Sequence, residues 1–228
     1  MIEKERIMKK TVIMTALVLI GCMCLSGAYL LKTEAAAVSA EGTVRRIVID
    51  AGHGQPDGGA VGTTGIAEES VNLLIAQKLE TLLCEDGWEV IMTRTDAKQI
   101  GEDKNSDMRR RREIIDSSGQ MLTVSIHLNS FPSDADVGGP QVFYAPGSGQ
   151  GKLLAEKIQS ALNQKLEPAA PRTAAEGNYY IVKSGSVPAV IVECGFLSNP
   201  AEEQLLNRSQ YQVRIAKAIA EGIAAYCG

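Results

Sequence analysis

Beyond residue 43 the chain alternates short apolar runs with longer segments in which apolar residues recur every three or four positions. Runs at 46–50, 88–93, 121–126, 141–144, 179–182 and 189–193 are rich in Ile, Val and aromatic residues and predict strands. Segments 68–83, 107–116, 152–165 and 209–226 carry helical periodicity. This alternation predicts one α/β domain over 44–228, with a mainly parallel or mixed sheet of about six strands and helices on both faces.

The first forty residues follow a different pattern. Lys4, Arg6, Lys9 and Lys10 precede an unbroken apolar run over 11–31, long enough to span a bilayer. Basic residues on the N-terminal flank keep that end cytoplasmic, so everything after Lys32 is expected outside the membrane, as an exported domain. Residues 1–32 are thus a signal anchor or signal peptide, and 33–43 a linker. Three fates remain open: an uncleaved anchor, which is the expectation, cleavage after the small residues at 35–40, or lipidation at Cys22 in Leu19-Ile20-Gly21-Cys22.

Composition narrows the function classes. With 45% hydrophobic and 22% charged residues the chain is an ordinary globular one, and a net charge of −4 argues against a nucleic-acid partner. The basic run at 109–112 reads as a solvated helix face with one or two structural ion pairs. Beyond the apolar segment only Cys84, Cys194 and Cys227 remain, without Cys-x-x-Cys spacing, so neither a zinc knuckle nor a redox pair is indicated. Cys194 reads as a buried thiol, although proximity of a histidine in space stays open.

The chemistry concentrates where the chain's two histidines, His53 and His127, end strand-like runs. Open α/β sheets gather functional groups beyond strand carboxyl ends, and imidazole is the commonest metal ligand there, which points to one metal site. The turn Gly52-His53-Gly54-Gln55-Pro56-Asp57-Gly58-Gly59 lacks the spacing of a dinucleotide or phosphate loop. A third ligand is expected as a carboxylate near the start of the next helix. Helical phase places Glu68 with the apolar stripe Val71, Leu74, Ile75, Leu79, Leu82 and turns Glu69 toward solvent, although both acids could simply complement the helix N-terminus. Glu193 ends a buried strand. The residues alone leave it either an acid turned to water or a general base beside the metal.

These motifs resemble the type 3 family of zinc-dependent N-acetylmuramoyl-L-alanine amidases. The matching pieces are Ile-Asp-Ala-Gly-His-Gly at 49–54, Gly-Ile-Ala-Glu at 65–68, Thr-Arg at 93–94, Ser-Ile-His-Leu-Asn at 125–129 and Val-Glu-Cys-Gly-Phe-Leu-Ser-Asn at 192–199. Within that family, the wording at 178–180 and 187–199 is similar to germination-specific, spore-cortex amidases. Gln55, where glycine is usual, and Asp116, where asparagine is frequent, depart from the pattern without touching a candidate ligand.

The resemblance implies that Zn2+ is held by His53, Glu68 and His127, that Glu193 is the catalytic acid-base, and that the substrate is the amide between N-acetylmuramic acid and L-alanine in peptidoglycan. Some members carry a helix after the second histidine motif that blocks the cleft. Only 130–137 separate Asn129 from Gly138-Gly139-Pro140 here, too short for such a helix, so an open site is expected, with any restriction coming from tethering, substrate maturation or a protein partner. Two alternatives belong to other classes: a wall-binding or scaffold domain without catalysis, and a zinc deacetylase acting on the same polymer.

Overall fold

The computed structural model describes residues 44–183 and 187–228, and the apolar run at 11–31 lies outside them. Among the described residues no helix is long and apolar enough to cross a membrane. Arg45–Gly228 forms one compact unit. Strands β1 (Arg46–Ala51), β2 (Glu89–Met92), β3 (Leu122–Asn129), β4 (Gln141–Tyr144), β5 (Ala175–Glu176) and β6 (Ala189–Phe196) join in the order β2-β1-β3-β6-β4-β5. The first four in that order are mutually parallel, β4 is antiparallel to β6, and β5 is parallel to β4, so the sheet is mixed.

Five helices among the described residues complete the unit: α1 (Glu68–Glu85), α2 (Lys104–Ser117), α3 (Gly149–Leu166), α4 (Pro200–Leu206) and α5 (Ser209–Cys227). Strand alternation sends Ile47 and Ile49, Val124 and Ile126, and Val190 and Val192 to one face, where they meet α1, α3 and α5 in the main core. The other face carries Val48 and Ile191, buried with Ile115 of α2 and with Ile181 and Val182 of a 3-10 turn, Ile181–Lys183. Two residues further along each strand the same face turns polar: Asp50 follows Val48 and Glu193 follows Ile191, while Ser125 and His127 share that face of β3. The polar end of the smaller face is therefore where chemistry can sit.

A buried ion network underlies that end. The Arg111 guanidinium, 1% exposed, donates to Asp50 Oδ1 at 2.7 Å and to Asp107 Oδ2 at 2.6 Å, and also to the backbone carbonyls of Ala51 and His53. Asp50 also accepts from Thr93 Oγ1 at 2.7 Å and from the Ser125 hydroxyl. Burial alone would raise the Asp50 pKa, but the charge of Arg111 and the two hydroxyls outweigh it and bring it from 3.8 down to about 2.

The structure corrects several expectations. Segment 179–182 is not a strand: its apolar pair Ile181 and Val182 is buried under the 3-10 turn against α2, and the sheet edge is taken by Ala175–Glu176 instead. Strands β3 and β6 run on to Asn129 and Phe196, past the polar residues that seemed to end them. Helix α4 was not foreseen, although Asn199 caps it by accepting from Ala201 and Glu202 and Pro200 opens it. Leu74 is exposed, not inward, because the buried stripe of α1 runs through Val71, Asn72, Ile75, Ala76 and Leu79. The arginine run is solvated at Arg109 and Arg110, Arg112 is half-buried over the Tyr180 ring, and Arg111 is part of the core.

Arg111→Leu should therefore destabilise the fold by about 3–5 kcal/mol, because it strands the Asp50 carboxylate in the interior, whereas Arg112→Ala, which breaks the exposed pair with Asp116, should cost less than about 1 kcal/mol. Urea unfolding of the two variants checks the contrast. A depressed carboxylate pKa gives stability that is full above the unfolded value and lost as pH falls through the folded one. The Asp50 contribution should accordingly be complete above about pH 4 and disappear toward pH 2, and that segment of the acid-stability curve should flatten in Asp50→Asn.

Candidate active site

Three elements deliver the candidate ligands. His53 leaves the end of β1 with φ of 61°, in the left-handed region that few non-glycine residues adopt. Glu68 begins α1. His127 lies on β3. Their ligand atoms all fall within 4.8 Å of one another. Glu68 bridges the two imidazoles, with Oε1 at 2.9 Å from His127 Nδ1 and Oε2 at 3.3 Å from His53 Nε2. The rings meet edge to face, with centroids 5.1 Å apart.

The carboxylate itself is pinned. Oε1 accepts from the Leu128 backbone at 3.1 Å and from Asn72 Nδ2 at 3.1 Å, and Oε2 accepts from the Ala60 backbone at 2.9 Å. Burial would push its pKa up, but hydrogen bonds and charge from His127 and His53 hold it far below the carboxylate range. Both histidines are raised in turn, Glu68 outweighing the opposing effect of burial. Close packing dictates two glycines: a Cβ at Gly52 would lie 2.3 Å from His127 Nε2, and one at Gly59 2.5 Å from Glu68 Oε2. The His127 ring thus presents Nδ1 to the cluster with Nε2 against the backbone, whereas His53 presents Nε2.

Glu193 stands beside this group on the neighbouring strand, paired in register with His127. Its Oε2 is buried without a hydrogen-bond partner among the described residues. Burial pushes its pKa up to about 7, with the Glu68 charge adding to the rise and the imidazoles opposing it. All four residues line one cleft of about 400 Å³, whose walls include Asn129, Tyr179 and Lys104. Residues 130–137 form two short turns and irregular chain without a helix, as the short spacing predicts.

The residues fit a metal. Two imidazole nitrogens and a carboxylate oxygen converge on the wall of one cleft, the donor set of catalytic zinc sites. Residues 47–225 match the family described as N-acetylmuramoyl-L-alanine amidase. The chain belongs to that family. A germination-specific N-acetylmuramoyl-L-alanine amidase of Bacillus subtilis is 37% identical over 188 residues, covering 79% of this chain and 78% of that protein. The CwlD amidase of Clostridioides difficile, solved in complex with the GerS lipoprotein, superposes with a TM-score of 0.77 at 35% identity, over 80% of this chain and 98% of that one. The catalytic domain of CwlV, an amidase of Bacillus (Paenibacillus) polymyxa, gives 0.73 at 31% identity, over 80% and 98%.

Sequence reasoning missed three contributors. Asp57 contacts His53 Nδ1 at 3.1 Å, a relation its four-residue spacing in a glycine turn could have signalled. Asn72, one turn after Glu68, bonds both that carboxylate and the Gly52 carbonyl. Glu69 is 4% exposed, not solvated: the loop carrying Gln55 and the side chain of Arg94 cover it, with Gln55 Nε2 donating to Oε1 at 3.0 Å and Arg94 Nη1 facing Oε2 as an ion pair at 3.9 Å, beyond hydrogen-bond distance. The helical stripe alone could not show this, because the first turn of α1 is enclosed by loops on its flank as well as by the sheet. Glu69→Ala should lower stability by about 1–3 kcal/mol by removing the hydrogen bond from Gln55 and the anion beside the buried Arg94, while metal content stays at the wild-type level. Urea unfolding and elemental analysis of the same sample check both halves.

Proposed function

We propose that this protein hydrolyses the amide bond between N-acetylmuramic acid and L-alanine in peptidoglycan, with zinc held by His53, Glu68 and His127 and with Glu193 as general base and acid. The observation that carries the catalytic assignment is the in-register placement of Glu193 beside His127, half-buried in the wall of the same cleft and with one buried oxygen unpartnered. Family membership supports the reaction, and the likeness to a germination-specific amidase supports a role in the spore cortex.

When bound, the ion would polarise the scissile carbonyl and make a water acidic enough to react near neutral pH. The remaining steps belong to the chain. Glu68 is braced by two backbone N–H groups and by Asn72, and His53 by Asp57, so they hold their geometry without reorganisation. Glu193, raised to about 7, is suited to take a proton from the attacking water and return it to the departing alanine nitrogen. The open side of the cleft admits an extended glycan with its stem peptide, with Tyr179 and Tyr180 at its rim.

The domain is placed after an N-terminal membrane segment, 1–32, and the linker 33–43, on the wall side of the membrane. Because a similar amidase was solved with a lipoprotein, a protein partner belongs to this reading too.

The full-length protein should bind one zinc and release stem peptides, not acetate, from peptidoglycan, as seen by mass spectrometry. With only two histidines in the chain, His53→Ala and His127→Ala should each lose metal and activity together. Glu193→Gln should keep its zinc and lose turnover by roughly 10²–10⁴-fold; near-normal rates in that variant would remove Glu193 from the chemistry. For topology, an extracellular-active reporter fused after Ala40 should work and a cytoplasmic one should not. Membrane retention should survive Cys22→Ala if the segment is an anchor, and be lost if it is a lipid attachment site.

A further inference from the structure

His53 carries an unusual burden. It is a non-glycine residue with φ of 61° in a loop, and its ring must still aim one nitrogen into the cluster. The loop supplies the means. Gly54 and Asp57 exchange backbone hydrogen bonds, N–H to carbonyl, at 3.0 and 2.9 Å, folding the chain back so that the Asp57 side chain returns over the ring of His53. Asp57 Oδ2 then lies 3.1 Å from His53 Nδ1, and Oδ1 accepts from the Gly59 backbone at 3.2 Å. On its far side Lys104 Nζ sits 3.7 Å from the same Oδ2. The carboxylate is thus fixed by the turn on one side and by a cation from α2 on the other, and the ring is tethered at both nitrogens.

Resting on the metal-centre reading above, we propose that Asp57 is a positioning residue for that centre, holding His53 in the tautomer with the proton on Nδ1 so that the Nε2 lone pair is free for the ion. A carboxylate accepts a hydrogen bond and donates none, and both ring nitrogens face one; Asp57 is the nearer, at 3.1 Å against 3.3 Å, and Glu68 Oε2 already accepts from the Ala60 backbone, so the single proton of a neutral ring belongs on Nδ1. The opposite nitrogen, Nε2, then keeps its lone pair for an ion, and it is the one on the Glu68 side of the ring. Carboxylates behind ligating histidines fix ring orientation and raise ligand basicity, and their loss typically lowers metal affinity by roughly 10–100-fold. His127 receives no such help from Asp57. Its ring is fixed by packing against Gly52 and presents the other nitrogen, so the two histidines of one centre reach it through opposite ring atoms.

Because the chain has only two histidines, their imidazole nitrogens can be followed one by one by NMR in the full-length protein. In the metal-free wild type, with both rings neutral, His53 should show a protonated Nδ1. Asp57→Ala should give a mixture of tautomers at His53 while the His127 signals stay in place, and zinc titrated against a chromophoric chelator should bind roughly 10–100-fold more weakly than to wild type. The isosteric Asp57→Asn, whose single amide oxygen can serve Nδ1 or Gly59 but not both, should fall between. The metal-free thermal midpoint of Asp57→Asn should match wild type. Wild-type zinc affinity with an unmoved His53 tautomer in either folded variant would overturn the proposal. So would a loss of affinity in which both rings shift and the metal-free midpoint falls in step, since Asp57 would then be a turn residue only. Failure of the wild type itself to bind zinc would instead sink the metal-centre reading, while the tautomer comparison in metal-free protein still judges Asp57.

Discussion

The site depends on one carboxylate. Glu68 reaches two imidazoles from separate strands and is itself held by two backbone N–H groups and by Asn72. A buried anion of this kind is costly unless every lone pair is used, and here hydrogen bonds on both oxygens hold it ionised. Its partners come from four stretches of chain, so the ends of β1 and β3, the loop before α1 and the first turn of that helix are tied together through it. Metal affinity, if the centre is filled, comes from the same convergence.

Beneath this cluster lies a second buried charge system, and the two are connected. Arg111 neutralises Asp50 and Asp107 and also donates to the carbonyls of Ala51 and His53. One guanidinium therefore ties α2 to the end of β1 and supports the strained residue that presents the first imidazole. Arg94 does a related job from the other side, donating to the carbonyls of Ala51, Gly52 and Glu69. Fixed forks of donors suit loop carbonyls that no strand can satisfy. Arginines satisfy backbone acceptors at the polar end of the sheet, and of the two carboxylates there with a buried unpartnered oxygen, Glu69 and Glu193, Glu193 lines the cleft.

Much of this was legible in the chain. Apolar runs located the central strands, and the two histidines and Glu193 marked the strand ends that form the cleft, because parallel strands deliver their C-terminal residues to a common edge. Helical phase separated Glu68 from Glu69 correctly as to which meets the histidines. It failed on the burial of Glu69, since periodicity sees the sheet side of a helix and not a loop folded over its first turn. Arg111 was hidden in a run of four arginines, where nothing local distinguishes a core guanidinium from its solvated neighbours. The 179–182 segment misled because aromatic and β-branched residues fit a 3-10 turn over a small core as well as an edge strand. Asp57 was missed for a related reason: its role is defined by a loop conformation, not by a repeat.

Anomalous diffraction at the zinc edge, on crystals of the protein grown with zinc, tests the account most directly. One peak is predicted about 2.0–2.2 Å from His53 Nε2, His127 Nδ1 and a Glu68 oxygen, with the Glu193 carboxylate close by and not bonded to it. A peak bonded to Glu193 in place of Glu68, or one placed away from the two histidines, would contradict it.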